Sequence, residues 1–166
     1  MRRVIAVSAD IALTARPIDR AAFAPFGDLV DVEPSGIRTD KIGGIENLRG
    51  DARFHLSTAR IVPSSLPLRL VELERHAFTS QSFLPLEASR YLVCVAANDP
   101  DGWPDMTTLR AFTVPAGTGI TYRAGTWHHP MIALETPASF AVIMWCGADA
   151  NEEFVDLGKP VTVNTA

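Results

Sequence analysis

"LRLVELERHAFTSQ", residues 68–81, decides the fold class. Its first nine residues alternate as a β-strand does, with Leu68, Leu70, Glu72, Glu74 and His76 on one face and Arg69, Val71, Leu73 and Arg75 on the other. Three successive polar groups then follow two leucines on a single face. Either Glu72, Glu74 and His76 look at water, or they line something inside the protein. Phe78-Thr79-Ser80 has turn character, and Gln81 follows it.

The flanking sequence repeats the strand pattern. Strands are expected over residues 52–62, 91–97, 110–115, 119–123, 131–135 and 139–146, and the run YLVCVAA (91–97) is apolar on both faces, as in a buried strand. Turns rich in Pro, Gly, Asn and Asp separate them, notably Asn98-Asp99-Pro100-Asp101-Gly102 and Ala124-Gly125. Seven or more short strands at this spacing predict an all-β sandwich or barrel. Asp19 predicts a cap for a short N-terminal helix over Arg20–Phe23, closed by Pro25 and Gly27. The tail predicts one more edge strand at 160–163. No repeat or linker divides residues 1–166, so a single domain is expected.

Apolar residues make up 47% and charged residues 20% of the 166, the balance of an ordinary globular protein. Fifteen Lys and Arg are scattered among nineteen acids without a basic run, which argues against nucleic acid as a partner. Cys94 and Cys146 both sit in apolar runs and are expected to be buried thiols in a reducing cytoplasm. Asp10 interrupts the apolar run Val4–Ala9, so no targeting segment is expected, and no run is long enough for a membrane helix.

A second stretch, "GITYRAGTWHHP" (119–130), bears on the polar face of strand 68–76. Glu74-x-His76-x4-Gln81 resembles the first cupin motif, with Glu replacing the usual first His and Gln replacing Glu. Ala124-Gly125-Thr126-Trp127-His128 resembles the second, which adds a last ligand from the facing strand. That likeness implies a cupin barrel in which Glu74, His76, Gln81 and His128 converge on a divalent metal; one carboxylate, one amide oxygen and two imidazoles suit a first-row ion. Strand parity turns His128 inward and His129 to the other face, as a supporting, surface or substrate-touching group. Tyr122, six residues before His128, shares its parity. Arg75 faces away from Glu74 and reads as structural, while Arg110 is a candidate carboxylate clamp.

The chain further resembles the ureidoglycolate lyase (ureidoglycolate hydrolase) family from about residue 13 to 157. The stretches that carry this are "FAPFGDLV" (23–30), "LERHAFTSQSFLPL" (73–86), "TLRAFTV" (108–114) and "GITYRAGTWHHPM" (119–131). The resemblance implies a cupin-like double-stranded β-barrel, a homodimer, and a place in purine and allantoin breakdown. It also implies an amidine-type carbon–nitrogen lyase that splits ureidoglycolate into glyoxylate and urea, with nickel as the metal. On that basis His128 and Tyr122 are the expected catalytic groups, and Arg110, His129 and Trp145 the expected substrate contacts. One departure stands out. Family members of the enterobacterial type carry Asp-Arg-Gly-Gly where this chain has Met144-Trp145-Cys146-Gly147. The alternative is therefore a cupin-fold protein that binds or converts a different small organic acid with an apolar portion. A purely structural barrel, its inner polar groups bonded to one another, is the third reading.

Overall fold

Alternation along the strands builds two β-sheets, described in a computed structural model over residues 3–5, 10–32, 34, 36, 38–41, 43–148 and 151–166. The first elements are β1 (Arg3–Val4), β2 (Ala12–Thr14), β3 (Arg16–Pro17) and the helix α1 (Arg20–Phe23). Then come β4 (Gly27–Val30), β5 (Arg53–Ile61), β6 (Pro63–Ser64), β7 (Leu68–His76), β8 (Gln81–Glu87) and β9 (Arg90–Ala96). The series closes with β10 (Arg110–Val114), β11 (Gly119–Tyr122), β12 (Trp127–His128), β13 (Ile132–Leu134), β14 (Ala138–Cys146) and β15 (Glu152–Asn164).

Among the described residues, a ten-stranded sheet runs β1-β15-β7-β12-β9-β10-β3, with β2, β6 and β13 paired off this path. A five-stranded sheet runs β4-β11-β8-β14-β5. Together they make the all-β, cupin-like double-stranded barrel expected from the sequence. One core fills the space between the walls: Tyr91, Val93 and Val95 of β9 meet Phe83, Ile120, Phe140 and Val142 of the smaller sheet. Leu92, Cys94 and Ala96 point the other way, into a second core with Leu73, Trp127, Val155 and Leu157. Strand β9 is thus buried on both faces, as its apolar run requires. The helix is capped as expected, Asp19 accepting a 3.0 Å bond from the Ala22 amide.

Several expectations need correction. Leu70 and Leu73 have opposite parity yet lie in the same second core, so alternation along β7 slips between them. The partner strand β15 breaks register at the same place, between Asp156 and Val161, and such a bulge reorients the side chains beside it. Leu68 and Leu70 therefore do not share the inward face of Glu74 and His76. The tail is a long strand flanked by β7 and by β1 and β2, instead of a short edge strand at 160–163. Cys94 is buried, but Cys146, at the end of β14, is exposed. Strands β4 and β8 were not foreseen. Residues 6–9 of the early apolar run lie outside the described residues; among the described residues, no helix is long and apolar enough to cross a membrane.

Candidate active site

Strand β7 ends at His76, and the turn 77–80 carries the chain from the larger sheet to the smaller one, where Gln81 opens β8. A second crossing follows Tyr122 on β11: Gly125 turns the backbone at φ +79°, a conformation that favours glycine, and β12 then presents His128. His128 pairs directly with Glu74 in the antiparallel ladder between β12 and β7. The last candidate ligand thus comes from the neighbouring strand of the same sheet, not from the facing one. Gln81 and Tyr122 are paired with each other on the opposite wall.

Glu46 ties the two crossings together. Its main chain pairs with Ser80, whose hydroxyl accepts from the Glu46 amide at 2.8 Å and whose own amide donates to the Glu46 carbonyl at 2.9 Å. Its carboxylate accepts a 2.7 Å bond from the Ala124 amide. A loop residue without strand or helix pattern thereby fixes both turns that deliver site residues, and nothing in its local sequence signals this.

Between the walls, polar atoms converge without partners. Both ring nitrogens of His76, Oε1 of Gln81, the Tyr122 hydroxyl and Nε2 of His128 are buried and make no hydrogen bond. Buried polar atoms cost free energy when unpaired, so five on the side chains between two facing walls mark a candidate binding place. Donor atoms of Glu74, His76 and His128 all lie within 4.8 Å of one another. The His128 tautomer suits ligation. Its Nδ1 lies 2.9 Å from the Thr126 carbonyl, which can only accept, so Nδ1 carries the proton and Nε2 keeps its lone pair, 3.5 Å from Glu74 Oε1.

Electrostatics keeps the cluster in ligating form. Burial, reinforced by the neighbouring His128, pushes His76 down to about 4, against weaker opposing pulls from Glu74 and Gln81. His76 is therefore neutral near pH 7. Burial opposes ionisation of Glu74, but the imidazoles around it, His128 first and then His76 and His129, outweigh burial and hold its carboxyl below its ordinary value. Burial raises the Tyr122 phenol well above its ordinary value, so it stays protonated as a donor. The Tyr122 ring stacks on His128 with centroids 4.2 Å apart and planes 17° apart. Tyr122 meets His128 across the barrel from the facing sheet, a contact that parity along one strand does not describe.

The remaining candidates separate. Strand β12 ends at His128, and the His129 amide donates to the Cys94 carbonyl of β9 at 2.9 Å. The His129 ring is mostly buried; burial lowers its pKa, while the Pro130 carbonyl and the charges of Glu72 and Glu74 pull the other way. It therefore belongs to the surroundings of the cluster. Arg110 is placed elsewhere: Val95 separates it from His128 in the sheet, its guanidinium donates to the Thr107 and Leu109 carbonyls, and it lines a separate cavity of about 710 Å³. Trp145 also lies away from the cluster. Phe140 and Val142 face the central core, so Met144 shares their face and Trp145 takes the other, where its ring meets Phe54 edge-on at 6.0 Å. It is Met144 that reaches the site, with Sδ 4.0 Å from Gln81 Nε2. An apolar neighbour is thus present, but it is the thioether and not the indole.

A family model described as ureidoglycolate lyase matches residues 10–164. The chain is 35% identical over 152 residues to a ureidoglycolate lyase of Brucella anthropi, covering 86% of this chain and 88% of that protein. It is 36% identical over 146 residues to one of Burkholderia mallei, covering 79% and 81% respectively. With that coverage, and with the buried cluster falling inside the matched region, the chain belongs to the ureidoglycolate lyase family.

Proposed function

We propose that this protein is a ureidoglycolate lyase of the amidine type, releasing glyoxylate and urea in purine and allantoin catabolism. The observation that carries the reading is the set of five unpaired buried polar atoms between the sheets, in a chain of this family. Ureidoglycolate bears a carboxylate, a hydroxyl and a ureido nitrogen on one carbon. Cleavage must remove the hydroxyl proton and protonate the departing nitrogen.

The donor set fits a divalent ion, nickel by family resemblance, held by Glu74, His76, His128 and Oε1 of Gln81. Such an ion would supply Lewis acidity that eases loss of the hydroxyl proton. The chain supplies the rest. Glu74, ionised and half-buried, takes the hydroxyl proton. Tyr122 donates a positioning hydrogen bond, and its ring keeps His128 in orientation. Burial of the cluster excludes bulk water from the forming carbonyl. Family resemblance supports a cytoplasmic homodimer as the working form.

One observation favours a second reading. Met144 presents a thioether to Gln81 where family members of the enterobacterial type have a carboxylate. The alternative substrate is a small organic acid with an apolar portion. Turnover of ureidoglycolate, with and without added divalent metal, separates the two: equimolar glyoxylate and urea supports the lyase, and none in metal-loaded protein supports the alternative.

A further inference from the structure

His55 lies far in sequence from every motif discussed, yet the sheet register brings it to the site. On β5, Ala59 and Ile61 pack against the central core, so His55, at the same parity, faces inward as well. Phe54 takes the opposite face with Trp145. His55 is the ladder partner of Met144, Met144 touches Gln81, and Gln81 pairs with Tyr122. The inner wall of the smaller sheet thus carries one cross-strand row, Tyr122–Gln81–Met144–His55. Its first two members are in the buried cluster, and its last sits on the sheet's outermost strand, exposed to water.

We propose that His55 is a catalytic residue at the rim of the site, the acid that protonates the departing ureido nitrogen. This rests on the lyase reading above. Glu74 is already engaged with the hydroxyl proton, His76, Gln81 and His128 are buried at the same end, and Tyr122 is held in a fully buried stack, so no second group among them is open to solvent for proton exchange. His55 is. Strands about 4.8 Å apart place its Cα about 10 Å from that of Gln81, which suits the two ends of ureidoglycolate: the acid end at the cluster, the ureido end toward His55. As the C–N bond breaks, its electron pair goes to the ureido nitrogen, which takes the His55 proton. The hydroxyl hydrogen passes to Glu74, and the O–H electron pair becomes the carbonyl of glyoxylate. Urea leaves neutral, Glu74 loses its proton to water, and His55 regains one from water.

The test is kinetics of His55→Gln and His55→Gly across pH, beside melting temperature and metal binding. About a hundredfold loss of kcat is expected, with KM and melting temperature nearly unchanged. The alkaline fall in kcat of the parent should vanish in His55→Gln, and added imidazole should restore part of the His55→Gly activity. Undiminished kcat in both variants overturns the proposal. So does an equal loss that imidazole does not rescue and that tracks a fall in stability. Should the parent not cleave ureidoglycolate, the lyase reading fails separately, and the ring signal of His55 in NMR then decides the rim position. A shift on adding glyoxylate supports a ligand-facing histidine, and an unmoved signal refutes it.

Discussion

The two faces of β7 and β12 are built from adjacent residues and treated in opposite ways. Outward from the barrel, Arg75 lies over the Trp127 ring at 4.7 Å and donates to Glu153 at 2.7 Å, to Asn98 at 2.7 Å and to the Gly102 carbonyl at 2.6 Å. Trp127 Nε1 donates to that same carbonyl at 3.2 Å. Every polar group named there has a partner. Inward, His76 and His128 keep ring nitrogens that bond to nothing. Partnered polar groups hold a fold together; unpartnered ones cost stability and are kept for what they bind. The outward face is structure, and the inward face carries the proposed site.

This contrast is open to attack from both sides. The largest stability effect belongs outside: Arg75→Ala removes its bonds to three acceptors and its packing over Trp127, and should cost about 3 kcal/mol in chemical denaturation. A loss no greater than for an ordinary surface residue would remove the distinction. Next comes pH. In metal-free protein, His76 has a folded pKa of about 4, below its ordinary 6.5, so between those values the unfolded chain binds more protons. Stability should therefore be fully present above about pH 6.5 and fall toward pH 4, by about 3 kcal/mol. His76→Leu should flatten that slope and, by removing two unpaired nitrogens, raise stability by about 1–2 kcal/mol. Destabilisation by this substitution would mean that the cluster helps to hold the fold.

A smaller effect separates Met144 from Trp145. Met144→Asp changes the inner wall beside Gln81 and should shift KM for ureidoglycolate by about tenfold, or about 1.4 kcal/mol. Trp145→Arg, on the outer face, should leave KM unchanged. A KM that responds to position 145 alone would place the substrate on the wrong side of β14.

What was legible in the sequence was local. Glu74 and His76, two apart on a strand, and Gln81, just beyond a turn, stand together because period two and turn chemistry act over a few residues. The slip between Leu70 and Leu73 was hidden because its matching irregularity lies in β15, more than eighty residues away. Strand β8 was masked by Pro85, which cannot donate to a ladder and pairs with Phe140 beside a bulge in β8 at Leu86. Glu46 was invisible for a different reason: its bonds reach 34 and 78 residues along the chain. The facing of Met144 and Trp145 likewise depends on which side of β14 the core occupies, and that is settled by the fold as a whole.

The most direct test of the inward face compares ureidoglycolate turnover in His128→Ala and His129→Ala, with folding checked in both. His128 offers the lone pair at the centre of the cluster, whereas the His129 ring meets the Pro130 carbonyl through Nδ1 at 2.7 Å and adds mainly to the surroundings. The expected result is loss of activity by a factor of about 10³ or more in His128→Ala, the scale for a group acting directly on the reacting atoms, with a measurable part retained in His129→Ala. Activity that survives in folded His128→Ala would contradict the assignment of this cluster as the place where the C–N bond is broken.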